Sequence, residues 1–288
     1  MMNRYIGAHI TAHGGIQNTI EFATHLELNV MQIYTKNPKQ WFSSKLKEDE
    51  IDEYLENVKV FDIKKVFSHA SCILNLSSYD KVILEKSRKS FLDEINRSEI
   101  LNLEGVIFHP GSYTGKNIED GLKICAESIN FLLENTKRYK TRLIIENLSG
   151  EKKEICKTFE EIRTVIDEVT IPERIGFCLD TAHLFQAGYN IKNFRQYSKV
   201  MSDLEKIIGL EKLVVIHLND SAKPLGSHID RHANIGCGKI GEDFFYNILH
   251  DKRFLHIPFI LETSSDISGY QKDLEKIHHI LTHKRFKI

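Results

Sequence analysis

The chain has 288 residues, of which 41% are hydrophobic, so its length and composition suit either one large barrel or two small domains with an extensive buried core. Lys and Arg number 39 against 40 Asp and Glu, and the formal net charge of −1 means that binding to a polyanion must depend on local basic clusters. Five scattered cysteines without a CxxC pair favour reduced thiols, and the lack of a signal-peptide pattern or of an apolar run of about 18 residues predicts an intracellular protein without a membrane partner.

Eight short β-rich runs occur at fairly even intervals along the chain. Their positions are YIGAHI (5–10), VMQIYT (30–35), VFSHAS (66–71), GVIFHP (105–110), RLIIEN (142–147), IGFCLD (175–180), LVVIHL (213–218) and PFILET (258–263). Between them, residues 43–61, 117–138 and 159–169 repeat apolar side chains at spacings of three and four, which predicts helices. Alternating strands and helices favour parallel strands with right-handed crossovers. The sequence therefore predicts an α/β fold, a single (β/α)8 TIM barrel that spans residues 1–288 as one domain.

Ionisable side chains stand at or near the carboxyl ends of six predicted strands. They are His69, His109, Glu146, Asp180, His217 and Glu262. In a TIM barrel these strand ends converge on the face that carries the active site, whereas the opposite face contributes stability. One such residue alone is usually hydrogen-bonded or solvated, but six at one rim indicate a functional site.

Two further segments add side chains of the same kind. His183 follows Asp180 by three residues, and Asp230 and His232 lie in the glycine-rich stretch HLNDSAKPLGSHIDRHANIGCGKIG at 217–241, which has little capacity to form a core. Alternate residues of an extended backbone point to the same side, so Asp230 and His232 can face one ligand. Four groups satisfy one zinc ion. The nine His, Asp and Glu side chains therefore exceed one site and match two or three catalytic zinc or manganese sites.

Long motifs make this pattern specific. They are YIGAHITAHGGI, YTKNPKQW, FHPGS, IIEN, CLDTAHLFQAGY, the stretch at 217–241, and ILET. They cover nearly the whole chain, and with them the sequence resembles the endonuclease IV family of apurinic/apyrimidinic endonucleases. The resemblance implies a (β/α)8 barrel with three zinc ions that hydrolyses duplex DNA 5′ to an abasic site, leaves a 3′-hydroxyl and serves base excision repair. Mn²⁺ at one of the three sites is compatible with the ligands.

Position by position, the resemblance implies three groups of ligands. One zinc is held by His69, His109 and Glu146, a second by Glu146, Asp180, His217 and Glu262, and the third by His183, Asp230 and His232. Glu146, which two ions share, and Glu262 are the expected catalytic residues. His9 and His13, near the first strand, are expected to support the ligands or to pack in the core.

DNA contacts are expected from loops on the same face. The loop TKNPKQW at 35–41 carries Lys36, Lys39, Gln40 and Trp41, and its resemblance to the family's first DNA-recognition loop implies that Lys39 or Gln40 enters the duplex beside the flipped-out abasic nucleotide. Extrusion costs less than the usual few kcal/mol because the missing base forms no pair. Trp41 is expected either to pack the loop onto the barrel or to stack on a base. Candidate phosphate contacts are Lys223, Arg231 and Lys239.

The sequence departs from the family pattern at Cys72. This residue lies three positions after His69, where the family commonly has an aromatic residue that inserts beside the abasic site. A cysteine cannot fill that volume by stacking, so either another loop supplies the wedge or the lesion preference differs. Ala182 in CLDTAH also stands where the family often has cysteine, and no ligand is lost there.

Two other classes of function compete with this interpretation. A metal-dependent sugar isomerase uses a similar barrel with two metals, but it would need neither the DRH motif at 230–232 nor the basic loop at 35–41. A non-catalytic DNA- or zinc-binding module would bind lesions without forming product, yet the full ligand set argues for catalysis. The expected partner is double-stranded DNA with abasic sites, bound by a monomer.

Overall fold

The computed structural model describes residues 4–12, 15–115, 117–263 and 266–283. Its strands are β1 (Ile6–Ile10), β2 (Val30–Ile33), β3 (Lys65–His69), β4 (Gly105–Phe108), β5 (Arg142–Glu146), β6 (Ile175–Asp180), β7 (Leu213–His217), β8 (Asp220–Ser221), β9 (His232–Ala233) and β10 (Phe259–Leu261). Eight of them form a closed parallel barrel in the order β1-β10-β7-β6-β5-β4-β3-β2, and β8 pairs with β9 in a small antiparallel hairpin. The structure confirms the predicted TIM barrel. The assignment of all residues to one domain stays a prediction.

Helices connect the strands around the barrel. In the described residues they are α1 (Thr19–His25), α2 (Glu48–Val60), α3 (Lys81–Ile100), α4 (Ile118–Asn135), α5 (Phe159–Asp167), α6 (Thr181–Gln186), α7 (Phe194–Ile207), α8 (Glu242–His250) and α9 (Ile267–Thr282). Several begin where a polar side chain accepts hydrogen bonds from first-turn amides, as Asp80 does for α3, Asn117 for α4 and Thr158 for α5. None of the described helices is both long and apolar enough to cross a membrane.

The predicted strands overlap all eight barrel strands, but some observed strands end earlier at the carboxyl side. β4 ends at Phe108 and β10 at Leu261, so His109 and Glu262 each follow the last paired residue by one position. The ends of a strand depend on where its neighbour stops pairing, which the hydrophobic pattern of one segment does not report. The predicted helical segments at 43–61, 117–138 and 159–169 contain α2, α4 and α5.

An apolar layer fills the interior of the barrel. Seven fully buried residues, one from each barrel strand except β1, form a contact cluster there: Val30, Phe67, Ile107, Ile144, Cys178, Val215 and Ile260. We call these seven residues the inner layer. A second and larger cluster lies between the strands and the helices and includes fully buried Phe91, Phe159 and Phe244. Burial of this apolar surface is the main stabilising contribution to the barrel.

One carboxylate organises the loop after β7. Asp220, which is buried at the start of β8, accepts hydrogen bonds from the backbone amides of Gly236 (3.0 Å), Gly238 (2.9 Å) and Ile240 (3.2 Å). A Cβ atom at Gly238 would lie 2.4 Å from Asp220 Oδ1, so the approach requires glycine. The glycine-rich stretch thereby folds back on β8, where β9 pairs with it and brings His232 beside the barrel.

Candidate metal centre

The inner layer determines where the polar residues of the barrel mouth lie. Side chains that face the same side recur every second residue along a strand, so the next inward position lies two residues further along each strand. The residues at these positions are Gln32, His69, His109, Glu146, Asp180, His217 and Glu262. We call these seven residues the mouth layer. Six of them are metal ligands predicted from the sequence, and their ligand atoms come together at one end of the barrel.

The first group consists of His69, His109 and Glu146. Glu146 Oε2 lies 3.2 Å from His69 Nε2 and 3.3 Å from His109 Nε2. His69 Nδ1 lies 2.7 Å from the carbonyl oxygen of Ala70, which can only accept, so Nδ1 carries a proton and Nε2 is the nitrogen that faces Glu146. Glu146 is fully buried. Such a nitrogen pair facing a carboxylate oxygen can hold one metal ion.

The second group surrounds His217 Nδ1. This nitrogen lies 3.1 Å from Glu262 Oε2, 3.2 Å from Glu146 Oε1 and 3.9 Å from Asp180 Oδ2. Glu146 therefore uses one carboxylate oxygen in each of two groups, as expected for a bridging ligand. Three acidic oxygens around one imidazole nitrogen form the most negatively charged part of the site.

The third group lies between α6 and the hairpin. His183 Nε2 and His232 Nε2 lie 3.2 Å and 3.4 Å from Asp230 Oδ1, and His232 Nε2 lies 3.7 Å from Asp180 Oδ2. Both Nε2 atoms are buried, and neither makes a hydrogen bond with any described residue. Imidazole nitrogens that converge on carboxylate oxygens without hydrogen-bond geometry suit a cation between them. The buried clusters therefore fit metal binding.

Two asparagines that the sequence interpretation missed fix the orientation of the ligands. The Asn147 side chain accepts from the Asp180 amide (2.8 Å) and donates to the Asp180 carbonyl (3.1 Å). The Asn219 side chain donates to Asp180 Oδ2 (2.6 Å) and accepts from the Glu262 amide (2.8 Å). Both residues follow a ligand closely in the sequence, in IIEN and HLN, and this position was the available signal.

The charges of the site perturb one another strongly. Burial by itself would raise the pKa of Glu146 and of Glu262, but the histidines around them outweigh burial and hold both pKa values well below the usual range. Burial would lower the pKa of His183 and of His217, yet the neighbouring acidic groups raise both pKa values well above 6.5. In the metal-free chain, protons therefore occupy positions that a divalent cation would take.

Cys178 is an inner-layer residue that also faces the site. Its thiol, Glu146 and His217 offer ligand atoms within 4.8 Å of one another. Burial raises the pKa of the Cys178 thiol to about 12, so the group stays protonated near neutral pH. Because Cys178 packs in the apolar inner layer, we assign it to packing, and the ligand set remains one of His, Asp and Glu, which suits catalytic zinc or manganese. All five cysteines are free thiols in the structure.

Of the residues in the loop at 35–41 that were expected to contact DNA, one is buried and two are exposed. Lys36 is buried, its Nζ lies 3.0 Å from Glu94 Oε1, and it donates to Ser90 Oγ (2.7 Å) and to the Trp41 carbonyl (2.8 Å). The structure argues against the expected DNA contact by Lys36, because its charge is paired and its donors are used inside the protein. Lys39 and Gln40 are exposed and remain candidates for the duplex.

Trp41 packs against the barrel and does not project into solvent. Its half-buried ring contacts the main core cluster, and Lys86 Nζ lies 4.6 Å from the ring centroid. These contacts favour the packing alternative over base stacking.

Cys72 lies exposed at the rim of the site, beside an aromatic residue from another strand end. Its Sγ is 3.7 Å from the Tyr34 hydroxyl. The Tyr34 ring lies 4.4 Å from the His9 ring and 5.8 Å from the His69 ring, between centroids. Tyr34 and Cys72 line the same open pocket of about 300 Å³ as the ligands, so an aromatic side chain is present next to the position where the family pattern expects one.

The remaining described candidates lie in the loop after β7 and on β1. Arg231 and Lys239 are exposed and Lys223 is half-buried, all in the loop after β7. His9 Nδ1 lies 3.1 Å from Glu262 Oε1, which agrees with a supporting role. His13 lies outside the described residues.

Comparison with known proteins agrees with this geometry. The family model described as a xylose isomerase-like TIM barrel matches residues 20–280. Probable endonuclease 4 of Phocaeicola vulgatus is 40% identical over 264 residues, which cover 91% of this chain and 94% of that protein. Apurinic-apyrimidinic endonuclease 1 of Plasmodium falciparum is 38% identical, over 98% of this chain and 48% of that protein. The chain thus spans about half the length of the Plasmodium relative.

Solved structures also show similarity between this chain and endonuclease IV. Endonuclease IV from Thermus thermophilus superimposes with a TM-score of 0.86 and 29% identity, covering 96% of this chain and 98% of that chain. A D-tagatose 3-epimerase-like protein superimposes with a TM-score of 0.76 but only 17% identity, over 96% of this chain and 97% of that one, and this likeness shows the fold alone. Together with the matching family model and the bacterial relative, these similarities show that the chain belongs to the endonuclease IV family of apurinic/apyrimidinic endonucleases.

Proposed function

We propose that the chain is a zinc-dependent endonuclease that hydrolyses the phosphodiester bond 5′ to abasic sites in duplex DNA and leaves a 3′-hydroxyl, as base excision repair requires. The observation that carries the proposal is the convergence of nine His, Asp and Glu side chains in three groups at one end of the barrel. The names of the relatives, which are endonucleases, support the choice of DNA as substrate.

The side chains have distinct tasks in this proposal. When bound, zinc ions polarise a phosphoryl oxygen and lower the pKa of water toward neutrality. Glu146 would help to hold two ions, because Oε2 faces His69 and His109 while Oε1 faces His217. The four carboxylates in the ligand set leave part of the charge of three divalent ions uncompensated, so the mouth attracts a phosphate group.

Duplex DNA would reach the site through the loops at its rim. Exposed Lys39, Gln40 and Arg231, together with half-buried Lys223, are the proposed contacts. A pocket of about 300 Å³ is lined by candidate ligands together with Tyr34 and Cys72, and its volume is at the lower end of the size range of small-molecule sites. An extruded abasic nucleotide, which has lost its base, is the kind of group that a pocket of this size accepts.

The test combines metal analysis with an incision assay. We expect the purified, zinc-replete chain to hold close to three zinc ions per molecule and to cut an abasic duplex while sparing the same duplex without the lesion. Mass spectrometry of metal content and gel analysis of 5′-labelled product with a phosphatase-insensitive 3′ end are the measurements. A well-folded preparation that holds one zinc ion or none, or that leaves the abasic duplex intact, would overturn the proposal.

A sugar isomerase or epimerase is the alternative to exclude in the same experiment. The epimerase-like neighbour shares the fold at 17% identity, and a similarity at this level gives no information about the substrate. Asp230 and His232 form a third group with His183, beyond what a two-metal sugar enzyme uses. Incubation of the zinc-replete chain with ketohexoses should give no epimer, and rapid epimer formation without DNA incision would favour the sugar enzyme.

A further inference from the structure

Gln32 occupies a distinctive position in the mouth layer. Each of the other six mouth-layer residues belongs to a candidate metal group, and β2 contributes Gln32 instead. Its predecessor in the inner layer is Val30, two residues earlier on the same strand. Gln32 is fully buried although an amide is costly to bury without hydrogen-bond partners. Its position and burial indicate that the amide acts on the neighbouring ligands.

Three contacts satisfy the Gln32 side chain, and all are to residues of the site. Its Oε1 lies 2.7 Å from His217 Nε2. Its Nε2 lies 2.6 Å from Glu262 Oε1 and 2.8 Å from His9 Nδ1. His217 and Glu262 both belong to the second metal group, so one amide spans two candidate ligands of the same ion.

The donor and acceptor capacities of these groups determine the orientation of the amide. An ionised carboxylate only accepts hydrogen bonds, so Glu262 must face the NH₂ group of Gln32. The carbonyl oxygen of Gln32 then faces His217, and this oxygen can accept only if His217 Nε2 carries the proton. Nδ1, the nitrogen that faces Glu146 and Glu262, is consequently the one that would offer a lone pair to a metal ion after losing its proton.

The same amide also orients Glu262. Because the Gln32 NH₂ group holds Oε1, the other carboxylate oxygen, Oε2, is the one that lies 3.1 Å from His217 Nδ1. A hydrogen-bond partner behind a metal ligand fixes its tautomer and direction, and loss of such a partner typically weakens metal affinity about 10- to 100-fold.

We propose that Gln32 is a positioning residue of the second metal group, which sets the tautomer of His217 and the orientation of Glu262 without touching the metal or the DNA. This inference rests on the proposed zinc centre. It assigns a function in the metal site to a neutral residue on β2, the one mouth-layer residue that belongs to none of the metal groups of the described chain.

The test is Gln32→Met, which keeps much of the side-chain volume and removes both hydrogen-bonding functions. We expect the variant to bind one of its zinc ions about 10- to 100-fold more weakly than the parent, measured by competition with a chromophoric chelator. Incision of abasic duplex should fall in the same proportion at limiting zinc and recover when zinc is raised. Recovery distinguishes a positioning role from a direct contact with substrate, which added zinc would not restore.

Ser98→Ala is the matched control. Ser98 is buried on α3, donates to the Glu94 carbonyl (2.8 Å) and lies 2.7 Å from Ser68 Oγ, so the substitution removes buried hydrogen bonds that involve no residue of the metal groups. It should lower the unfolding temperature of the metal-free chain while leaving zinc affinity unchanged. Should Gln32→Met not fold, Gln32→Asn takes its place, since the shorter side chain keeps the amide but cannot reach both His217 and Glu262, again weakening zinc binding.

Failure of this inference is distinguishable from failure of the proposed function. If the parent binds three zinc ions and cuts the lesion but the Gln32 variant has unchanged zinc affinity, the positioning role is wrong and the nuclease proposal stands. If the parent itself binds no zinc, both are overturned.

Discussion

The inner layer lies on seven barrel strands, the mouth layer lies at the ends of the same strands or within one residue of them, and the two layers differ in chemistry. Two residues along a strand span about 6 to 7 Å, and over that distance a fully buried apolar layer gives way to a layer of one amide, three histidines and three carboxylates. The apolar layer closes the barrel, while the polar layer is held by hydrogen bonds and ion pairs at the rim. The residues that stabilise the barrel and the residues proposed for catalysis are therefore only two positions apart along each strand. Substitutions in the inner layer should change the free energy of unfolding, whereas substitutions in the mouth layer should change zinc binding and DNA incision.

Glu262→Gln should have the largest effect on catalysis. It preserves the shape of a mouth-layer residue and removes a negative ligand that lies 3.1 Å from His217 Nδ1. We expect incision to fall by about 10²- to 10³-fold, comparable to the loss of one group that stabilises a transition state, with little change in the circular dichroism spectrum. Turnover equal to that of the parent would show that Glu262 is not part of the site.

Ile144→Ala should mainly reduce stability, because Ile144 is the inner-layer residue two positions before Glu146 on β5. The cavity should cost about 2 to 5 kcal/mol in the free energy of unfolding, measured by denaturant titration. Ile144→Val, which removes one methylene, should cost about 0.5 to 1.5 kcal/mol. Zinc stoichiometry should stay at the parent value in the Val variant, and a loss of zinc there would mean that the two layers are not separable.

Zinc affinity should increase with pH. The raised pKa values of His183 and His217 mean that their protonated forms stabilise the metal-free fold fully below about pH 6.5, and that this stabilisation is lost as the pH rises through the folded pKa values. Zinc must displace these protons, so we expect at least about tenfold weaker binding at pH 6 than at pH 8. Competition with a chelator at both pH values measures the zinc affinity. Equal affinities would contradict the claim that zinc displaces protons from His183 and His217.

Lys39→Ala should affect DNA binding and neither layer. Lys39 is exposed, so its removal should weaken binding to abasic and intact duplex alike and reduce the slope of log affinity against log salt by about one. Lys36→Met is the contrast: it leaves buried Glu94 without its partner, so it should lower the unfolding temperature. Equal salt slopes for the parent and Lys39→Ala would remove this residue from the interface.

Cys72→Tyr should have the smallest effect. A second aromatic ring at the rim should tighten binding to abasic duplex, because stacking on an aromatic ring contributes about 1 to 3 kcal/mol per base. The Tyr34 ring already lies beside residue 72, so we expect a gain near the lower end of that range. Zinc content should not change. A variant that binds abasic and undamaged duplex as the parent does would show that Tyr34 already fills the space.

The sequence by itself determined the barrel and the identity of the candidate ligands. Strand periodicity is a local property, and so is the chemistry of a histidine or carboxylate at a strand end, so both can be predicted from short segments. Once eight strands are assigned to a barrel, the convergence of His69, Glu146 and His217 follows from the geometry of the fold alone. The geometry of the barrel does not predict in the same way which loop side chains contact DNA.

Only the tertiary structure decided the function of the polar residues that are not ligands. Lys36 looked like a DNA contact until the fold placed it against Glu94, and Gln32 gave no sequence signal because its partners His217 and Glu262 lie 185 and 230 residues away. Those contacts exist because β1 pairs with both β2 and β10, which closes the barrel and brings the second strand across from the seventh and the last. Hydrogen bonds between residues so distant in sequence depend on closure of the sheet, and no local pattern encodes them.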